Sequence, residues 1–425
     1  MTPVRFTRCA ARGREALSAA VLLLGLAGCN YHNNYGCGYG CGGGPPLAVN
    51  TPNSVAIADI NGDGVPDLAV ATTADTGAFN NPGFANLILG VASPAGTFDS
   101  GVHYSTTGFN PSGIVAADLT NSGNIDLVVS NFGSGSISFF MHGATQGTFQ
   151  PAVNIATGGQ PNQVVAGDLT ASGMSLDLAL ADNSPSGNAI VMVHDPANPG
   201  QFQTPLMLAT NNFTPSVAIG SIGNGKVAVV AATYDINGNN GAVYVFVETS
   251  TAPVTFAAPV TFPAGAQPQA VRIADVDGDG LPDIVVANFG PGADGTGMPG
   301  VSVLLQDKTN PGHFLAPVTY QAPQGAIDVA VGDLDGDGRP DLVVASLGPF
   351  PTGAISVLLQ SSTAAGTFGT ATSYPGFGQP LSVAIGDLNG DHHPDIAAAD
   401  GTSAIVLLQN AATPGTFANP VQVGN

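Results

Sequence analysis

A nine-residue acidic segment recurs along this chain, and its chemistry and spacing constrain what the chain can fold into. The pattern is Asp-x-(Asp/Asn)-Gly-Asp-x-x-Pro-Asp, and it is complete four times, at residues 59–67, 275–283, 333–341 and 387–395. Oxygen side chains at the first, third, fifth and ninth positions of a tight turn converge on one point. A hard cation such as Ca2+ takes about six to eight oxygens at about 2.3–2.6 Å. Without a cation, carboxylates packed this closely repel one another. The spacing therefore predicts metal sites at Asp59, Asn61, Asp63 and Asp67, and at Asp275, Asp277, Asp279 and Asp283. Two more are predicted at Asp333, Asp335, Asp337 and Asp341, and at Asp387, Asn389, Asp391 and Asp395.

These segments are not EF-hands. An EF-hand needs a bidentate Glu at its twelfth position and a helix on each side. The twelfth residue counted from Asp275 is Val286, inside the apolar run 284–287. Alternating, β-branched residues on both flanks (270–274 and 283–287) make the segment the turn of a β-hairpin.

The hairpin belongs to a longer unit. The first loop position falls at 59, 118, 168, about 221, 275, 333 and 387, a period of 50–59 residues. That period exceeds typical solenoid units and suits a four-stranded blade. Each unit runs in one order: a Pro-x-x-Val-Ala strand, the acidic loop, an apolar strand, a Gly-rich insert, a second apolar strand, a Gly-Thr-Phe turn and a short last strand. Seven such units with almost no helical periodicity predict an all-β, seven-bladed β-propeller of four-stranded blades with Ca2+-binding hairpin loops. A closed ring also hides the sheet edges that a linear array would leave open. Both ends carry a candidate outer strand, 47–50 and 420–423, so one replaces or shields the other.

The units over residues 47–425 resemble FG-GAP/VCBS repeats, which build the seven-bladed propeller of integrin α-subunits and many bacterial surface proteins. The acidic loop carries the resemblance, and Asn131-Phe132-Gly133 and Asn288-Phe289-Gly290 echo its Phe-Gly part. The resemblance implies Ca2+ in about four loops. It adds a backbone carbonyl ligand at the seventh position: Val65, Leu281, Arg339 and His393. Three units depart from the pattern. In the second, Asp118 and Asp126 keep the spacing while Thr120 and Ser122 replace carboxylates, which predicts weak binding. The loop 168–177 is one residue longer and similarly diluted, and the fourth unit places Lys226 in a turn without acids.

The first residues read as a leader rather than as fold. Arg5, Arg8, Arg12 and Arg14 precede an apolar stretch, 16–26, too short to span a bilayer. Leu26-Ala27-Gly28-Cys29 resembles the lipobox of bacterial lipoproteins, which implies a signal peptide at 1–28 and lipidation of Cys29. Asn30 in place of an Asp implies the outer membrane, by analogy with lipoprotein sorting. Residues 29–46 form a Gly-rich tether in which Cys37 and Cys41 are either a local disulfide or free thiols. The propeller occupies 47–425 and contains no Cys.

Charge narrows the partners. The formal net charge is −21, and after the leader the only bases are Lys226, Arg272, Lys308 and Arg339. These are scattered, so phosphate contacts cannot form a footprint, and nucleic acid is excluded as a partner. No His-Glu-x-x-His or Gly-x-Ser-x-Gly occurs, and Glu248 is the one Glu after the leader. No catalytic residue is therefore assigned.

Strand alternation places the acidic loops on one face of the ring and the Gly-rich inserts, with the turns between units, on the other. Phe79, Phe84, Phe109, Phe213, Tyr234, Phe289, Phe350 and Phe377 fall on those inserts and turns. They are either anchors for a partner or plugs of the channel mouth. The expected function is a lipid-anchored, Ca2+-stabilised binding or adhesion module of the cell envelope that recognises a protein or glycan. A propeller enzyme acting on a polysaccharide or sugar, and a scaffold subunit of an envelope complex, are the alternatives.

Overall fold

The computed structural model describes residues 49–75, 81–170, 176–223, 225–239, 241–291, 298–310, 312–348 and 353–423. The leader, Cys29, the tether, Phe79 and Phe350 lie outside them. Among the described residues no helix is long and apolar enough to cross a membrane.

Seven antiparallel sheets of four or five strands follow one another in chain order. Blade one comprises Val49–Ala58, Asp67–Asp75, Pro82–Ile88 and Val102–Phe109. Blade five, with Pro268–Ala274, Asp283–Asn288, Gly300–Leu304 and Val318–Gln321, shows the common form. Blade four adds a fifth strand, Val254–Phe256, to the end of its long third strand, Ala242–Thr251.

The second strands are buried along their whole length in most blades, as in Asp126–Asn131 and Asp341–Ser346. Each sheet is covered on both faces by its neighbours, so these strands are continuous apolar runs rather than alternating ones. The outermost strands, such as Val318–Gln321, are largely exposed. The buried residues form seven apolar clusters, each spanning two successive blades. One joins Val55, Leu68, Val70 and Ile88 of blade one to Leu388, Ala397, Ala399 and Val406 of blade seven. That cluster closes the ring.

Closure differs from either expected arrangement. Val421–Val423 pairs with Ala404–Leu407 as the outer strand of blade seven, and Val49 and Asn50 pair with Asp75 and Ala74 at the start of blade one's inner strand. Neither end replaces or shields the other. Every blade is contiguous in sequence, and side-chain packing rather than a shared sheet seals the last junction.

The inner strands surround a central cavity of about 380 Å3. Six inner strands shift register near their start; in five of them, for example between Pro111 and Gly113, the shift falls at a proline, which lacks an N–H, and in blade six it falls between Ala326 and Asp328 without one. The freed groups are used between blades. Asn53 Nδ2 donates to Pro111 O (2.7 Å), Ser112 Oγ to Pro161 O (3.0 Å) and Asn162 Nδ2 to Pro215 O (2.9 Å). Val271 N donates to Ser216 Oγ (3.0 Å), and Arg272 Nη2 to Asp328 Oδ1 (2.6 Å). Asp328 Oδ2 accepts from Val383 N (3.0 Å), and Gly401 N donates to Pro52 O (3.2 Å). The polar chain thus runs once around the ring.

Candidate metal centre

Each complete acidic loop is organised by its own backbone. The first-position carboxylate accepts the sixth-position N–H through Oδ2, at 2.9, 2.8, 2.9 and 2.8 Å for Asp59, Asp275, Asp333 and Asp387. The fifth-position N–H donates to the third-position side chain, as from Asp63 to Asn61 Oδ1 (2.9 Å) and Asp337 to Asp335 Oδ1 (3.1 Å). The seventh-position N–H of Val65, Leu281, Arg339 and His393 donates to the fifth-position carboxylate, at 2.8, 2.8, 2.9 and 2.9 Å. Such a tight path needs left-handed backbone at the fourth and sixth positions, supplied by Gly278 and Gly280 with φ of 72° and 86°. His392 takes the sixth position in the last loop at φ 65°, a conformation that costs a side-chain-bearing residue about 1 kcal/mol.

The ninth-position aspartates do more than the spacing suggests. Asp67, Asp283, Asp341 and Asp395 are at most 1% exposed. Oδ2 of each accepts the second-position N–H, from Ile60, Val276, Leu334 and Leu388, at 2.8–2.9 Å. Oδ1 accepts an N–H just beyond the third strand, from Gly90, Gln306, Gln360 and Gln409, at 2.7–2.8 Å. One carboxylate therefore ties the acidic loop to the turn between the third and fourth strands. Burial pushes Asp283, Asp341 and Asp395 up to about 6, and raises Asp67, despite these donors.

A row of glutamines, missed in the sequence reading, completes the staple. Gln306, Gln360 and Gln409 each donate Nε2 to the carbonyl of the loop proline, Pro282, Pro340 and Pro394, at 2.6–2.7 Å. Gln360 also reaches the Val276 carbonyl of the preceding blade (2.7 Å). The repeated Leu-Leu-Gln at 304–306, 358–360 and 407–409 was its signal.

Two loops bring three carboxylates together. Oxygens of Asp275, Asp277 and Asp283 lie within 4.8 Å of one another, as do those of Asp333, Asp335 and Asp341. Either set could hold a metal ion, and a donor set made only of oxygen fits a hard cation such as Ca2+. The loops with Asn61 and Asn389 have one carboxylate fewer. The extra charge in the other two meets a base. Lys308 Nζ lies 3.1 Å from Asp279 Oδ2 and 3.4 Å from Asp277 Oδ2, and Arg339 pairs with Asp337. Burial pushes Asp279 up, but the Leu281 N–H and the Lys308 ammonium outweigh it and hold the carboxyl below the ordinary range.

This pairing sets the Lys308 ammonium where it would compete with a bound cation. Replacing it (Lys308→Met) is expected to tighten Ca2+ binding in this loop severalfold, a modest effect because the ammonium is exposed. Calorimetric titration checks it, and weaker binding in the variant would contradict the competition.

The diluted loops keep the staple without the cluster. Asp126 Oδ2 accepts from Leu119 N (3.2 Å), Thr120 N (3.2 Å) and the Thr120 hydroxyl (3.0 Å). Its Oδ1 accepts from His142 N (2.9 Å) and lies 2.8 Å from His142 Nδ1. Protein donors thus surround this carboxylate. Asp118 holds its turn through Ser122 N and Gly123 N, and Ser122 Oγ accepts from Asn124 N. Asp177 repeats the staple with Leu169 N and His194 N, both at 2.8 Å. In blade four the buried acid moves across the hairpin to Glu248, 5% exposed and paired with Phe256 as Gln306 is with Phe314.

The expected aromatic face divides. Phe213, Tyr234 and Phe377 are buried, which removes the anchor alternative for these three; Phe213 stacks on Tyr234 at 5.7 Å between ring centroids. Phe84 is half-buried on the third strand of blade one, edge-on to His103, and Phe289 is half-buried. Phe109 is 41% exposed at the turn into blade two.

Comparison with known proteins agrees with this architecture. Residues 222–286, 292–344 and 334–398 match the FG-GAP-like repeat, and 51–85 match the FG-GAP repeat. Blades two and three lie outside those matches. No curated protein matches the chain. Among solved structures, a candidate 6-phosphogluconolactonase from Bacteroides uniformis is similar at 14% identity over 82% of this chain and 94% of that one, with a TM-score of 0.54. One from Bacteroides fragilis is similar at 15% identity over 85% and 96%, with a TM-score of 0.53. BBS1N in complex with ARL6DN is similar at 12% identity over 86% and 94%, with a TM-score of 0.51. At such identities the likeness concerns the fold alone.

Proposed function

Because this chain is a seven-bladed β-propeller carrying FG-GAP repeats, we propose that it is a Ca2+-braced binding module of the cell envelope, anchored by a lipid on Cys29. About four Ca2+ ions occupy the complete loops. Asp59, Asp63, Asp67 with Asn61, and their counterparts in the other three loops, hold them. The ion neutralises carboxylates that the fold has gathered; the chain's own residues orient those carboxylates and transmit the bracing.

The observation that carries this reading is where the loops sit between blades. Gly366 of blade six packs against Asp277 of blade five, and Gly415 of blade seven against Asp335 of blade six. A Cβ at either glycine would come within 3.0–3.2 Å of the neighbouring aspartate's Cβ. A cation in such a loop stiffens a junction, which suits a rigid recognition platform. The partner, a protein or a glycan, engages the face opposite these loops, with Phe109 and Phe289 as its anchors.

The test joins a binding screen to its anchor residues. The soluble mature chain is expected to capture a ligand from a glycan array or an envelope extract. Phe109→Ala or Phe289→Ala should weaken that capture by about 1–3 kcal/mol. In cells, Cys29→Ser should abolish labelling by a fatty-acid probe. New reducing ends or unsaturated products released from envelope glycans would overturn the binding reading in favour of an enzyme.

A further inference from the structure

The two loops in which three carboxylates converge belong to blades five and six, which pack against each other, and one side chain touches both. Gln360 is 6% exposed, and its amide is engaged at both ends. Nε2 donates one hydrogen to Pro340 O, beside Asp341 in its own loop, and the other to Val276 O in the loop of blade five, both at 2.7 Å. Oε1 accepts from Gly366 N (3.1 Å), the glycine that packs against Asp277. The Gln360 backbone N–H donates to Asp341 Oδ1 (2.7 Å). Gln360 therefore holds both flanks of Asp341. Across the junction, Val276 stands between Asp275 and Asp277, and its N–H donates to Asp283 Oδ2 (2.9 Å). The three gathered carboxylates of blade five thus fix the residue whose carbonyl Gln360 grips.

The other glutamines of the row make no such bond. Gln306 Nε2 donates to Pro282 O, and the turn before it, in blade four, has no acids. Gln409 Nε2 donates to Pro394 O in its own loop, and blade one has Gly90 at the corresponding position. Among the described residues, a side-chain hydrogen bond joins two complete acidic loops only at the junction of blades five and six.

We infer that Gln360 couples these two loops, so that Ca2+ bound in one tightens the binding of Ca2+ in the other. The inference rests on the Ca2+ reading of the loops, and Gln360 acts in it as a positioning residue, not a ligand. With blade five's loop filled, Asp275, Asp277 and Asp283 are held, and the Val276 carbonyl with them. Gln360 then gives up its rotamer freedom once, and Pro340 and Asp341 are already in place for the second ion. Charge acts in the opposite sense. An emptied loop is more negative than a filled one and would tighten the ion next door. Weaker binding beside an emptied loop is therefore diagnostic of the bridge.

The experiment follows the mature chain, isotope-labelled at glycine, by NMR during a Ca2+ titration. Gly280 N donates to Asp275 Oδ2 and Gly338 N to Asp333 Oδ2, so their resonances report the two loops separately. Asp279→Ala and Asp337→Ala each empty one loop and assign its resonance. Emptying blade five's loop is expected to weaken Ca2+ at Gly338 about fivefold, and emptying blade six's loop to weaken it at Gly280 by the same factor, as linkage requires. Asp391→Ala empties blade seven's loop, across a junction that packs alike but lacks the bond, and should leave Gly338 unchanged. In Gln360→Met, which fills the same space without donors, the reciprocal weakening should vanish; in Gln409→Met it should persist. The coupling is overturned if Asp279→Ala leaves Gly338's affinity unchanged or tighter, if Asp391→Ala weakens it equally, or if Gln360→Met keeps the reciprocity. Should Gln360→Met fail to fold, the contrast between Asp279→Ala and Asp391→Ala decides. Neither glycine responding to Ca2+ would sink the Ca2+ reading and the coupling together, whereas four independent responses would sink the coupling alone.

Discussion

Removing Ca2+ from the purified mature chain with excess chelator is expected to lower its melting temperature by on the order of 10 °C. At millimolar Ca2+ and a dissociation constant of about 10⁻⁴ M, each site adds roughly 1.4 kcal/mol, or about 6 kcal/mol for four independent sites. That is comparable with the entire stability of an ordinary domain. The loss should be larger than four separate turns would suggest, because each ion braces a junction. Equal melting temperatures in Ca2+ and in chelator would show that the carboxylates are held without a cation.

The second large effect separates ion binding from the staple. Asp341→Ala removes the acceptor for both the Leu334 and Gln360 N–H groups as well as a metal ligand. Unpaired buried donors cost about 1–3 kcal/mol each, so the variant should lose roughly 3–5 kcal/mol even in chelator. Asp126→Ala strips Leu119, Thr120 and His142 of their acceptor and should destabilise about as much while removing no strongly bound ion. Asp279→Ala, whose carboxylate accepts the Leu281 N–H and pairs with the exposed Lys308, should lose its ion with little loss of stability in chelator. Chemical denaturation with and without Ca2+ distinguishes the three. An Asp126→Ala protein as stable as the parent would refute the structural role of the ninth position.

The blades were legible in the sequence because one loop chemistry recurs at blade spacing and because both faces of each second strand are apolar. Ring closure was not. The segments around Val49 and Val421 are both short and β-branched, and nothing local tells an innermost strand from an outermost one. The pairings of Val421–Val423 with Ala404–Leu407 and of Val49 with Asp75 decide it, and the packing of Val55 and Val70 against Ala397 and Val406 seals the junction. The clustering of the loop carboxylates was legible as a pattern, yet the ninth aspartate's second oxygen was not, since its donors at Gln306 and Gln360 lie 23 and 19 residues away. The aromatic anchors were the weakest reading. A Phe in a turn between blades tucks inward or points outward according to its neighbours: Phe213 finds Tyr234 to stack on, and Phe109 remains exposed. The channel pair Arg272–Asp328 escaped notice because its partners come from different blades.

The central claim is that the four complete loops bind Ca2+ and the diluted loops bind it far more weakly. Calorimetric titration of the chelator-stripped mature chain counts the ions directly. The expected count is about four Ca2+ bound at millimolar Ca2+, reduced by one in Asp279→Ala and unchanged in Asp126→Ala. No binding in the parent chain, or the loss of a tight site in Asp126→Ala, would contradict it.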